Sequence, residues 1–265
     1  MSGTSEVLLE RIGAAAVVTL NRPRRRNALD AAAKTALHET LARVAADDGV
    51  RAVLLTGAGD AFCVGQDLAE HAEALRADPA HAFDTVERDY APIVSLLATM
   101  DKPVVAGVNG ACVGAGLALA LACDVRVFAE DAVLATAFTG IGLTCDSGLS
   151  ATLAGAVGVS RARELVLLGT SFRPADAVAW GVSGTVVARS EVEAAGRTLV
   201  AELAQGPTAA YAATKRLFAA SPHERSLDAT LRAEARAQAA LGLTADHAGA
   251  VEAFLAKQKP VFTGR

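Results

Sequence analysis

The chain has 265 residues, of which 52% are apolar and 20% charged, and its formal charge is −4. That balance excludes a disordered chain, and the slight acidity argues against a nucleic-acid binder, which needs a basic surface. Aromatic residues make up only 4%, so any core must be built from Ala, Val and Leu. The length suits one large domain, or a core with a smaller appendage.

The first residues, MSGTSEVLLERIG, contain no basic segment followed by a long apolar one, so no secretory signal is expected. Ala15 to Leu20 is a short apolar run that ends in the turn Asn21-Arg22-Pro23. Asp30 is placed to cap a helix reaching about Asp48. Arg51 to Thr56 has a buried-strand pattern, closed by Gly57-Ala58-Gly59-Asp60. A helical region follows from about Ala69 to Met100, with a break near Pro79.

The unit then repeats. Lys102 to Val108 is an apolar strand, Asn109-Gly110 a turn, and Gly114-Ala115-Gly116 opens a small-residue helix. This helix lies in the most apolar segment, Ala111 to Ala122, which is too short to span a membrane. Asp124 to Ala129 is a further strand, and a glycine-punctuated loop from Gly140 to Gly148 leads into another helix. Strands separated by helices imply parallel pairing and an α/β core. After Gly184 to Val187 no convincing strand follows before the final residues. Gln205-Gly206-Pro207 breaks two helices, and Ser221-Pro222-His223-Glu224 has the pattern of a helix start. The expected organisation is an α/β core over 1–205 and a helical region over 206–265.

Cys63, Cys112, Cys123 and Cys145 form no CxxC pair and have no His at ligand spacing, so a metal site is not expected. The glycines at 110–116 run G-x-x-x-G-x-G, which is not the dinucleotide-binding order G-x-G-x-x-G. There is also no phosphate-binding P-loop and no G-x-S-x-G nucleophile elbow. Two strand-to-glycine-to-helix turns remain, Ala61 to Leu68 and Asn109 to Gly116. Each lets the backbone approach a ligand and offers orphan N–H groups at a helix start. Brought together, they would form a two-donor hole for an oxyanion.

The segments TLNRPRRRNALD (19–30), VLLTGAGDAFCVGQDL (53–68), KPVVAGVNGACVGAGLALALACDVRVFAEDA (102–132) and AVAWGVSGTVV (177–187) resemble the enoyl-CoA hydratase/isomerase, or crotonase, family. The resemblance covers nearly the whole chain in order. It implies a right-handed spiral of ββα turns with a helical C-terminal region that serves oligomerisation. It also implies a homotrimer or dimer of trimers acting on an acyl-CoA thioester, and the lack of a secretory-signal pattern or a membrane-length apolar run leads to the expectation of a cytoplasmic protein. No cofactor is implied, since coenzyme A arrives as part of the substrate, and neither a nucleic-acid nor a membrane partner is expected.

Carried over by position, the oxyanion hole falls on the backbone N–H groups of Gln66 and Ala115. The latter position is usually glycine in the family. Substrate binding falls on Arg24, Arg26, Ala28, Val64, Gln66, Asp67, Leu68, Phe138 and Gly142, the arginines suiting the phosphates of coenzyme A. The two glutamates of family hydratases match Ala118 and Phe138, neither of which can carry a proton. Asp146, in GLTCDSG, matches the acid/base of family isomerases, including the ring-opening isomerase of phenylacetate breakdown. The alternative for Asp146 is a helix cap. Burial beside Phe138, Ile141 and Leu143 is expected to raise its pKa. Asp67 and Asp124 look structural, and the five histidines receive no role. The expected activity is double-bond migration in an enoyl-CoA. The alternatives are hydration of 2-enoyl-CoA and non-catalytic acyl-CoA binding.

Overall fold

The computed structural model describes residues 5–219 and 226–265. The expected helix start at 221–224 therefore lies outside the described residues. Strand β1 (Val7–Ile12) pairs antiparallel with β2 (Ala15–Leu20) across a turn at Gly13. Helix α1 (Ala31–Ala46) begins where the Asp30 carboxylate accepts the Ala33 N–H at 2.8 Å. It buries Leu37, Leu41 and Val44 along one stripe.

Three ββα units follow. The first is β3 (Ala52–Gly57), β4 (Ala61–Cys63) and α2 (Leu68–Ala77). A π-helical turn at Val86–Tyr90 then runs into α3 (Ala91–Thr99). The second unit is β5 (Val104–Val108), β6 (Ala111–Val113) and α4 (Ala115–Ala122). The third is β7 (Val125–Ala129), β8 (Leu134–Ala135) and α5 (Leu149–Val157), continued by α6 (Val159–Leu168) and α7 (Pro174–Trp180). Strand β9 (Thr185–Val187) and helix α8 (Val192–Ala204) complete the layer.

The long strands form a six-stranded sheet in the order β1-β2-β3-β5-β7-β9, and the short ones a parallel sheet in the order β4-β6-β8. Among the described residues, the strand pairs other than the β1–β2 hairpin are parallel, and Leu134 of β8 makes one antiparallel bridge to Phe172. The result is a right-handed spiral of ββα turns, as the resemblance implied. Strands β3 and β5 are apolar runs because successive residues, which point to opposite faces, are nearly all buried; α8 packs across β2, β3, β5 and β7, and α1 packs against β1 and β2.

Among the described residues beyond Ala204 lie the helices α9 (Thr208–Ala219), α10 (Leu227–Leu241) and α11 (Ala245–Leu255). Lys215 ties α9 to the core through an ion pair with Asp124 at 2.8 Å and bonds to the Leu97 and Lys102 carbonyls. Arg51 binds Thr208 and the Phe262 carbonyl, and Asp246 accepts the Thr263 and Gly264 N–H groups. Among the described residues no helix is long and apolar enough to cross a membrane.

Candidate active site

The turn after β4 is tied to the segment before α1. The Leu29 N–H donates to the Gly65 carbonyl at 2.8 Å, and the Asp67 N–H donates to the Leu29 carbonyl at 3.0 Å. Backbone groups alternate sides along an extended segment, so the N–H of Gln66, between these two bonds, faces away from Leu29. Among the described residues it meets no acceptor. The turn after β6 ends at Gly114, with φ of 58° and ψ of −124°, and α4 starts on the next residue. The Ala115 N–H is thus one of the orphan donors of a helix start.

Gly65 brings the two turns together. Its φ is +86°, and a Cβ there would lie 3.1 Å from the Val113 carbonyl oxygen and 3.2 Å from the Ala115 nitrogen. Behind them, Gly116 lets α4 press onto β4: a Cβ would stand 2.1 Å from the Cys63 carbonyl oxygen. The expected pair of glycine turns is therefore adjacent in space.

A third segment closes the site. Thr139–Ile141 form a single 3-10 turn, Gly142 follows at φ 76°, and Ser147 and Gly148 both take positive φ before α5. A non-glycine residue in the left-handed region costs about 1–2 kcal/mol, so Ser147 must be held by other contacts. Its hydroxyl donates to Asp146 Oδ1 at 2.8 Å, and the residue is buried. The Asp146 side chain does not cap α5, whose N-cap is Gly148. Burial pushes the Asp146 carboxyl above its ordinary range, against the opposing Ser147 hydrogen bond.

These pieces surround a cavity of about 200 Å³. Val64, Gln66 and Leu68 line one side, Gly114 and Ala115 another, and Phe138, Ile141, Leu143 and Asp146 a third. His71 and Phe83, in edge contact at 5.0 Å, stand with Thr85, Val86 and Tyr90 on the remaining wall. Asp146 is the one carboxylate of this lining among the described residues. A larger groove of about 940 Å³ lies between α9–α10 and the core. Its Arg216 is paired with Asp101, and its Lys102 donates to the Val44 and Asp47 carbonyls.

Of the expected site residues, the cavity gathers Val64, Gln66, Leu68, Ala115, Phe138 and Asp146. Arg24 and Arg26 are exposed on the Pro23–Arg25 turn and its left-handed cap, and neither lines the cavity. Ala28 is buried, with its carbonyl bound to Arg22. Gly142 is exposed beside the lining. Asp67 caps α2 through the Ala69 and Glu70 N–H groups and pairs with Arg22 at 3.0 Å. Ala118 is fully buried within α4 and does not line the cavity.

Sequence reading singles out neither Lys34 nor Tyr90, leaves His71 without a role, and places Ser147 only as a neighbour of Asp146. Lys34 shares the helical stripe of Leu37, Leu41 and Val44, a pattern from which its burial was predictable. It donates to Gln66 Oε1 at 3.2 Å, and the Tyr90 hydroxyl donates to the same oxygen at 2.7 Å. Among the described residues no cluster of three or more His, Cys, Asp or Glu could hold a metal. Burial pushes the Cys63 and Cys123 thiols up to about 12, far from a reactive thiolate.

The family model described as enoyl-CoA hydratase/isomerase matches residues 10–265. A "Probable enoyl-CoA hydratase" of Rhodobacter capsulatus is 40% identical over 250 residues, 94% of this chain and 95% of that one. The 1,2-epoxyphenylacetyl-CoA isomerase of Escherichia coli is 38% identical over 248 residues, 94% of each chain. A crystal structure from Mycobacterium abscessus, described as an enoyl-CoA hydratase/isomerase, superposes with a TM-score of 0.93 at 47% identity, covering 98% of this chain and 100% of that one. The glycine turns, the ββα spiral and these matches lead to one conclusion: the chain belongs to the enoyl-CoA hydratase/isomerase family.

Proposed function

We propose that the protein is an enoyl-CoA isomerase in which Asp146 moves one proton between two carbons of the acyl group. The observation that carries this reading is the cavity lining: among the described residues Asp146 is its one carboxylate, it shares the cavity with Gln66 and Ala115, and Phe138, which the family resemblance matches to a hydratase glutamate, also lines it. The Asp146 carboxylate takes a proton from carbon. The electron pair moves onto the thioester oxygen, held by the Gln66 and Ala115 N–H groups. The carboxylic acid then returns the proton at the other end of the delocalised system. Net atoms are unchanged, so no cofactor is needed; coenzyme A enters and leaves with the substrate.

The apolar wall of Phe138, Ile141 and Leu143 favours the neutral form of Asp146, which stabilises it while it holds the proton. Hydration asks more, since activating water and protonating carbon require two positioned groups. The similarity to an acyl-CoA isomerase supports the single-carboxylate reading. Arg24 and Arg26, both exposed, are assigned to the phosphates of coenzyme A. We also assign self-assembly, as a trimer or dimer of trimers, to the C-terminal helices, where Leu243, Phe254 and Leu255 stand exposed. Light scattering at a single protomer mass would contradict that assignment.

Turnover of a 3-enoyl-CoA by Asp146→Asn beside wild type tests the reading. A loss of about 10²–10⁴-fold with acyl-CoA binding retained is expected. Unchanged turnover in the variant refutes it. Formation of 3-hydroxyacyl-CoA from 2-enoyl-CoA would favour a hydratase, and tight binding with no exchange of substrate protons a binding protein.

A further inference from the structure

The two N–H groups assigned to the oxyanion are supported unequally. Ala115 is fixed by its place in a fully buried helix. Gln66 lies in an isolated bridge outside any long strand, where, among the described residues, the Gly65 carbonyl and the Asp67 N–H on either side of it make two backbone bonds, both to Leu29. The Gln66 side chain carries the rest. Oε1 accepts from the Tyr90 hydroxyl at 2.7 Å and from Lys34 Nζ at 3.2 Å, which uses both lone pairs of the amide oxygen.

Lys34 is an unusual residue for this task. Its side chain is 3% exposed, and burial holds its pKa below the ordinary lysine value against the pull of Glu70 and Asp89. Burying a cation without close partners is unfavourable. Its two carboxylates stand off at 3.8 Å, while its short contacts are to Thr85 Oγ1 at 2.6 Å and to Gln66. The ammonium also lies 5.3 Å from the centre of the Tyr90 ring. It therefore joins three elements: α1, the Gln66 turn and the 85–90 segment that walls the cavity. Tyr90 reaches inward from a π-helical turn, a geometry that re-aims one side chain within a helix. Its burial keeps the phenol protonated, and hence a donor.

We propose that Lys34 and Tyr90 are positioning residues that lock the Gln66 side chain, so that the main-chain N–H of Gln66 stays aimed at the thioester oxygen. The inference rests on the enolate reading above. Neither residue need touch the reacting atoms. The same clamp couples the cavity wall at Thr85 and Tyr90 to the oxyanion donor, so a change in that wall alters the grip on the carbonyl.

The test uses a saturated acyl-CoA with a ¹³C-labelled thioester carbonyl, bound to the full-length protein and read by difference infrared spectroscopy. Hydrogen bonds to the carbonyl lower its stretching frequency, whether or not turnover occurs. The wild-type band should lie below that of the free ligand. Tyr90→Phe and Gln66→Ala should each lose part of that lowering, and kcat should fall about 10–100-fold, as a small misplacement implies. Adding Tyr90→Phe to Gln66→Ala should change nothing further, because the two act through one contact. Lys34→Met removes a buried partner and can cost the fold itself, so the decisive variant is Tyr90→Phe, which keeps the ring and removes only the hydroxyl. A Tyr90→Phe band at the wild-type position, additive effects in the double variant, or a wild-type band no lower than free ligand overturns the proposal. Asp146→Asn should leave the band in place, so loss of the isomerase reading and loss of the clamp are separate results.

Discussion

The turn at 111–116 is fixed by packing, whereas the turn at 61–68 is fixed by polar contacts. In the first, Gly116 presses onto the Cys63 carbonyl and every residue of α4 is buried. In the second, Asp67 caps α2 and pairs with Arg22, while Gln66 is held by Tyr90 and Lys34. Both turns line the same cavity, through Gln66 and Ala115. The difference teaches that one local task has two physical solutions with different ways of failing: the packed turn fails by steric insertion, the polar one by loss of a partner.

Gly116→Ala should break the packed turn most severely. Its new methyl would meet main-chain atoms of Cys63 at 2.1 and 2.7 Å, which cannot rotate away. Overpacking of this kind costs about 1–3 kcal/mol or more, so a clear drop in melting temperature and loss of turnover are expected. Gly65→Ala strains the junction between the turns. Its φ of +86° costs roughly 1 kcal/mol for a side chain, and its methyl would sit 3.2 Å from the Ala115 nitrogen. Activity should fall further than stability, read as kcat against chemical denaturation.

Asp67→Asn weakens the polar turn. Burial raises the Asp67 carboxyl, but hydrogen bonds from Arg22 and the Glu70 and Ala69 amides, with the Arg22 charge, outweigh it and hold the group below its ordinary 3.8. A depressed folded pKa means stability present above the unfolded pKa and lost as pH falls through the folded one. Wild type should therefore lose stability on acidification below about pH 4, and the variant should lose less over that window. At neutral pH the exchange should cost on the order of 1 kcal/mol, the scale of a helix cap.

The smallest effect is on stability in Asp146→Asn. A raised carboxyl pKa means the native state binds more protons than the unfolded chain above pH 3.8, so wild type becomes less stable as pH rises. Removing the ionisable group should give a slightly higher melting temperature at neutral pH, a gain that vanishes in acid. The activity that needs the carboxylate should for its part decline as pH falls through the raised pKa.

The long strands β2, β3, β5 and β7 were legible in the chain as apolar runs, and so was the break between α8 and α9 at Gln205-Gly206-Pro207. Strands β4, β6 and β8 were not, because two or three residues carry no period. Strand β1 was missed although Val7 turns inward and Leu8 outward. At the site, the glycine turns could be read because close backbone approach demands glycine at Gly65. Asp146 could be read only through the family resemblance, since a lone carboxylate before a helix also suits a cap. The clamp around Gln66 was hidden for a physical reason: it joins residues 34, 66, 85 and 90 by polar contacts between distant turns, which no local pattern encodes.

The most direct measurement follows a 3-enoyl-CoA through turnover in deuterated water enriched in oxygen-18, with mass spectrometry of every product. One carboxylate and two main-chain donors should yield the shifted enoyl-CoA, with deuterium at carbon in part and no heavy oxygen. A product gaining a water's mass with oxygen-18 in its acyl chain would contradict proton transfer by Asp146 as the protein's chemistry.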